Sequence, residues 1–148
     1  MDFEKLSGLE ILKLVANGVI SPPTMAITIP MKLVSIENGA CEFHVTANKM
    51  HLNPMGGVHG GFAATALDSA TGCAVHTTLQ PGESYGTIDL NVKMLKPIPQ
   101  NEELKAIGKV IYRSRRIGVA EASLVGKDGK LYSHATATCM IAESKNER

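Results

Sequence analysis

Hydrophobic positions change their period along the chain. Over residues 3–17, FEKLSGLEILKLVAN, apolar side chains fall at Leu6, Leu9, Leu12 and Val15–Ala16. That is the spacing of one helix face, and Asn17-Gly18 is a good helix stop. Ser21-Pro22-Pro23 then breaks the chain into a linker. From residue 24 the period becomes two. Residues 24–39 (TMAITIPMKLVSIENG) and 40–47 (ACEFHVTA) read as strands that meet at Asn38-Gly39, a hairpin-turn dipeptide. Four more alternating runs fill the second half, at 84–98, 103–116, 117–129 and 130–142. Asp128-Gly129 marks another hairpin turn, and the loop around Pro97–Asn101 is the remaining break. In the last run Leu131, Ser133, Ala135, Ala137 and Cys139 share one face.

Between the two groups of strands lies one long helix candidate, roughly 59–79, closed by QPGE. It is rich in Ala, Thr, Gly and Ser, with Phe62 and Leu67 its main large side chains. Gly72 and the threonines weaken its propensity, so packing must hold it. Side chains this small let a sheet come very close. The order helix, two strands, long helix, four strands predicts an α+β fold with one antiparallel sheet and the small-residue helix in its concave face.

The chain has 148 residues, enough for one domain with one core. Its 15 basic and 14 acidic residues leave a net charge of +1, which gives no strong field for wrapping nucleic acid or coating a membrane. No apolar run approaches a membrane span, and the acidic start MDFEK lacks the form of a secretory signal. A cytoplasmic protein is expected. Cys41, Cys73 and Cys139 are odd in number and far apart. They read as reduced core thiols, neither a disulfide framework nor a zinc site. His44, His51, His76 and His134 show no metal-ligand spacing, so no metal is expected.

Candidate chemistry concentrates in one stretch, HLNPMGGVHGGFAATALDSA, residues 51–70. A helix N-terminus offers unpaired N–H groups and the positive end of a dipole. Glycines there let a carbonyl or an anion approach the backbone. GGVHGG is therefore either a cradle for such a group, as in an oxyanion hole, or a tight bend that allows close packing. It is neither a P-loop nor a dinucleotide fingerprint. Asp68 sits two turns into the helix among Ala66, Leu67, Ser69 and Ala70. It belongs either to a solvated face or to a buried position where a carboxylate must be paired or used. Gly60 and Asp68 are about 12 Å apart along a helix axis. One chain cannot bring both onto one small substrate group. If they act together, a second copy supplies one of them, across a homodimer interface.

The segment HLNPMGGVHGGFAATALDSATGCAVHTTL closely resembles the hallmark of the hotdog-fold acyl-CoA thioesterases, nearest the phenylacetic-acid-degradation (PaaI-like) type. The likeness runs on through GTIDLNVKMLKPI and GKVIYRSRRIGVAEASLVGKDGKLYSHATATCMI and back to SGLEILKLVANGVISPP. It implies one hotdog domain over 1–148, with an N-terminal helix and linker at 1–22 and a core at 23–148. That core is a curved antiparallel sheet wrapped around one helix, paired into dimers and often into tetramers as dimers of dimers. The implied reaction is hydrolysis of an acyl-CoA thioester to free acid and CoA, without metal or cofactor.

The resemblance also implies roles. The Gly60 amide polarises the thioester carbonyl, and Asp68 acts as nucleophile or general base. Thr87 orients the water or the acid, and Asn53 and His59 line the carbonyl end. Gly61, Phe62, Thr65 and Ser69 lie toward the substrate pocket. Arg113, Arg115 and Arg116 of YRSRR stand near the CoA nucleotide, with Lys93 and Lys96 weaker candidates; a solvated turn is the plainer reading of the arginines. Two departures from relatives stand out: Asp68 where some have Glu, and Thr87 where some have Ser. The alternatives are an acyl-thioester dehydratase or hydratase, which needs an acid–base pair for chemistry at the β-carbon, and a non-catalytic acyl-CoA-binding protein. No nucleic-acid partner is expected.

Overall fold

The computed structural model describes residues 1–143; residues 144–148 of the expected domain lie outside the described residues. Among the described residues three α-helices and six strands follow in the order α1 (Gly8–Ala16), α2 (Met25–Thr28), β1 (Met31–Glu37), β2 (Ala40–Thr46), α3 (Gly60–His76), β3 (Glu83–Met94), β4 (Glu103–Arg113), β5 (Ile117–Val125) and β6 (Leu131–Glu143). The strands form one sheet in the order β1-β2-β4-β5-β6-β3. Every neighbouring pair is antiparallel. The helix α3 packs against five of the six strands. This is the α+β arrangement the sequence predicts, a curved sheet around one central helix with a further helix at the N-terminus.

Small side chains make the wrap possible. Ala63, Ala66, Ala70 and Ala74 recur every three or four residues on α3, and all four are completely buried. The sheet closes onto that stripe through its own glycines. A methyl group added at Gly108 on β4 would overlap the Ala70 carbonyl, and one at Gly118 on β5 would lie 2.7 Å from Val75 Cγ1. The Cys41 thiol reaches the same Ala70 carbonyl at 3.1 Å. Helix and sheet backbones are therefore nearly in contact, which low helix propensity alone would not have secured.

Both hairpin dipeptides behave as read. Gly39 and Gly129 have φ of +83° and +78°, a conformation glycine takes without a Cβ clash. The N-terminal helix starts later than its apolar pattern suggests, at Gly8. Ser7 caps it: the Ser7 hydroxyl accepts from the Glu10 amide, and the Glu10 carboxylate accepts from the Ser7 amide at 2.8 Å.

Two expectations need correction. The run 24–39 is not strand from its start, because 25–28 form α2 and the strand begins only after Pro30. Proline has no N–H to give a ladder. The end of α2 is held instead by buried His51, whose Nε2 donates to the Thr28 carbonyl at 2.8 Å. Leu131, expected to share one face with Ser133, Ala135, Ala137 and Cys139, is exposed while those four are buried. The register slips between β5 and β6, where Leu124 faces Ser133 and Val125 faces Leu131. The extra residue, Tyr132, turns inward in its place.

No helix among the described residues is long and apolar enough to cross a membrane.

Candidate active site

The glycine-rich stretch folds into a braced loop that ends in the first turn of α3. Asn53 organises it. Its side-chain Oδ1 accepts from the amides of Met55 and Gly57 at 3.0 and 3.2 Å. Its backbone N–H donates to the Gly57 carbonyl at 2.7 Å. The His59 amide donates to the His51 carbonyl, also at 2.7 Å. His51 in turn accepts from the Asn48 amide through Nδ1 and packs its ring on Phe62 at a centroid distance of 5.3 Å. The loop is thus fixed from both ends before the helix begins.

His59 is the N-cap of α3. Its Nδ1 accepts from the Gly61 amide at 2.8 Å, so the ring proton sits on Nε2. A histidine can serve here because it satisfies one of the orphan amides of the first turn. With Gly61 occupied, the Gly60 N–H remains, and among the described residues no acceptor faces it. It stands at the positive end of a 17-residue helix. A methyl group at Gly60 would lie 2.6 Å from Met94 Sδ at the end of β3, so the Met94 side chain would have to move to admit one.

Asp68 lies half-buried, two turns further along α3. The Thr87 hydroxyl on β3 donates to Asp68 Oδ1 at 3.0 Å. That proton being spent, the Cys139 thiol beside it is the donor to Thr87 Oγ1, at 3.8 Å. A bulge between Thr87 and Asp89 shifts the β3 register at this point, and bulges re-aim side chains in this way. Burial pushes the thiols of Cys41, Cys73 and Cys139 upward, Cys73 to about 12, with the Asp68 charge adding to the effect at Cys73 and Cys139. Burial likewise pushes the Tyr85 phenol up. The acid therefore has only neutral groups as these close neighbours.

Other named residues take different places. Phe62 is core, and the Thr65 hydroxyl turns back to the Gly61 carbonyl at 2.9 Å. Ser69 is half-buried beside Asp68 on α3. Arg113 is engaged within the chain: it donates to Glu83 Oε2 and to Thr78 Oγ1, both at 2.9 Å, and to the Ser114 carbonyl. Arg115 pairs with Glu143 at 3.0 Å on the surface. Arg116 is exposed and makes no ion pair among the described residues. No group of three or more metal-ligating side chains occurs among the described residues.

Three features escaped the sequence reading: the Arg113–Glu83 pair, the Met94 side chain over Gly60 and the bulge beside Thr87. None leaves a local sequence signal, since each joins residues far apart in the chain.

The description "Thioesterase superfamily" fits residues 55–133, more than half of the chain and the part that holds both Gly60 and Asp68. The chain belongs to the thioesterase superfamily. A phenylacetic acid degradation-related protein from Ralstonia eutropha JMP134 is 32% identical, with 86% of this chain and 97% of that one covered at a TM-score of 0.78. The PaaI protein of E. coli is 17% identical, with 93% and 98% covered at a TM-score of 0.81, and shares the fold. Acyl-coenzyme A thioesterase 13 of Mus musculus is 27% identical over 82% of this chain and 81% of its own length. This member of the superfamily is a PaaI-like hotdog thioesterase, a thioester hydrolase.

Proposed function

We propose that this thioesterase hydrolyses acyl-CoA, with Asp68 as nucleophile or general base and the Gly60 amide as the donor to the thioester carbonyl. The observation that carries the reading is the pair of prepared groups: a half-buried carboxylate held by Thr87, and a helix N-terminal amide without an acceptor among the described residues. Charge develops on the carbonyl oxygen as the tetrahedral intermediate forms, and an aimed amide stabilises it; losing one such donor costs on the order of 10²–10³ in rate. Asp68 either takes a proton from water as it attacks the carbonyl carbon or attacks that carbon itself. The C–S bond then breaks and CoA leaves as thiolate; where water attacks, that water supplies the hydroxyl of the free acid, and where Asp68 attacks, a mixed anhydride on Asp68 remains, which water hydrolyses to the free acid and the regenerated carboxylate. The carboxylate and the amide suffice, so no cofactor or metal enters.

In this reading the two groups act from different subunits. Gly60 and Asp68 stand about 12 Å apart along one helix. The edge strand β3 supports the pairing. It is 12 residues long, it carries Thr87, and Ile88 and Met94 on it are more than half exposed. An open edge of that length is a template for a second copy. Asn53 and His59 shape the carbonyl end by bracing the loop and the first helical turn, and Gly61, Phe62, Thr65 and Ser69 line the adjoining helix. Arg115 and Arg116 are the candidates for the phosphates of CoA, and Arg113 anchors their turn. The acyl-CoA assignment draws on the likeness to the mouse acyl-coenzyme A thioesterase.

The test is thiol release from a panel of aromatic and straight-chain acyl-CoAs, wild type beside Asp68→Asn. The reading expects turnover by the wild type and a loss of at least about a hundredfold in the variant. Equal rates would remove Asp68 from the mechanism, and no thiol from any ester would overturn the reading.

A further inference from the structure

Thr87 holds Asp68 from an exposed position on the edge strand β3, beside the bulge that shifts the register after it. A turn about one bond exchanges the hydroxyl and the methyl of a threonine, and water competes for a hydroxyl at an open site. The bond to Asp68 Oδ1 at 3.0 Å needs the hydroxyl on the side of α3. Cys139 stands on that side. It is the cross-strand partner of Thr87 in the ladder between β3 and β6, and it is completely buried.

The proton count gives the contact a direction. An ionised carboxylate only accepts, so the Thr87 proton goes to Asp68. A hydroxyl has one proton and two acceptor positions. The Cys139 thiol, 3.8 Å from Thr87 Oγ1, therefore donates into one of them. It has no other hydrogen-bond partner among the described residues. Burial keeps the thiol protonated, and the nearby Asp68 charge works the same way. A chain of two donors results, Cys139 to Thr87 to Asp68, crossing from β6 to β3 to α3. Accepting from the thiol polarises the Thr87 O–H and strengthens its bond to the carboxylate. The buried thiol of Cys41 on β2 has no part in this chain, since it donates to the Ala70 carbonyl at 3.1 Å.

We infer that Cys139 is a positioning residue of the hydrolysis, its thiol fixing the Thr87 hydroxyl in the rotamer that holds Asp68. The inference rests on the proposed role of Asp68. Cys139 acts through Thr87 alone, and that separates it from a core residue that merely packs. Loss of the thiol lowers kcat and spares KM. It matters only while Thr87 keeps its hydroxyl.

The experiment is a double-mutant cycle on thiol release from acyl-CoA. It compares wild type, Cys139→Ala, Thr87→Val and the double variant, with Asp68→Asn and Cys41→Ala beside them. The expected result is a fall of about threefold in kcat for Cys139→Ala, the size of one weak hydrogen bond, with KM unchanged. In the Thr87→Val background the same substitution should cost nothing further. Cys41→Ala removes a buried thiol of the same core, so it should lower the melting temperature and leave kcat in place. A second readout needs no turnover. The S–H infrared band of Cys139 should move to higher frequency in Thr87→Val, where the thiol has no acceptor; this decides alone if Cys139→Ala does not fold, with Cys41→Ala and Cys73→Ala assigning the other two bands. An equal loss in both backgrounds, no loss in the wild-type background, a loss carried by KM, an equal loss from Cys41→Ala, or a band that stays in place overturns the inference. If Asp68→Asn keeps the wild-type rate, the proposed role of Asp68 falls and this inference with it. If Asp68→Asn loses the rate and Cys139→Ala does not, the inference alone falls.

Discussion

The Thr87 hydroxyl donates to Asp68 Oδ1 at 3.0 Å, tying the edge strand β3 to the central helix at the one acid inside α3. The bond fixes the carboxylate's rotamer and aims its lone pairs. Thr87→Val keeps the shape of the side chain and removes the donor. We expect turnover to fall about tenfold, in the range of a lost hydrogen bond to a charged group, with KM little changed. Thr87→Ser, which keeps the hydroxyl, should retain most of the rate. Steady-state kinetics on the three proteins decides it; equal losses in both variants would point to packing instead.

Gly60 tests the other half of the site. A methyl group there would stand 2.6 Å from Met94 Sδ and 2.8 Å from its Cε. Methionine is flexible and can swing away, so Gly60→Ala should fold, with a loss of stability of about 1–2 kcal/mol. Turnover should drop further than that, because a displaced first turn misaims the amide. Adding Met94→Ala removes the crowding. The double variant is expected to recover the melting temperature, and recovery of turnover alongside it would identify the Met94 clash as the whole cause.

Much of the fold was legible because its determinants are local. The two hairpin dipeptides carry glycines that need positive φ, and the alternation of the later runs survives as strands within a few residues of the expected limits. The stretch 24–30 misled because Thr-Met-Ala-Ile-Thr-Ile alternates like a strand, while the partner that closes the helical turn, His51, is more than twenty residues away. The candidate site divides in the same way. The open amide at the helix start could be read from GGVHGG. The contact between Asp68 and Thr87 spans 19 residues and a bulge, and only the resemblance suggested it.

His76 at the end of α3 gives the fold an acid limit. Its ring packs on Tyr85 at a centroid distance of 5.3 Å, and a methyl group at Gly8 would fall against it. Burial lowers its affinity for a proton. The unfolded chain therefore takes up that proton at a higher pH than the folded one. The stability linked to His76 is fully present above the ordinary histidine value of about 6.5 and declines as pH falls below it. Melting temperatures between pH 7.5 and 5 should fall, and the slope should be shallower in His76→Gln, which cannot titrate.

The arginines of YRSRR separate structure from binding. Arg113 and Glu83 form a pair whose side chains are 23% and 14% exposed, and the same Glu83 oxygen accepts from the Gln80 amide. Arg113→Met keeps the aliphatic stem and strands the carboxylate. A fully buried pair broken in this way costs about 3–5 kcal/mol; partial exposure brings the expectation to about 2 kcal/mol, seen as a lower denaturation midpoint. The surface pair of Arg115 with Glu143 contributes little by comparison. Arg116 is exposed and without an ion pair among the described residues, so Arg116→Ala should leave stability unchanged. If it meets a phosphate of CoA, KM for acyl-CoA should rise about tenfold, while KM for an acyl-N-acetylcysteamine thioester, which has no phosphate, should not move. A rise in both would place Arg116 near the acyl end, and no rise in either would remove it from the CoA site.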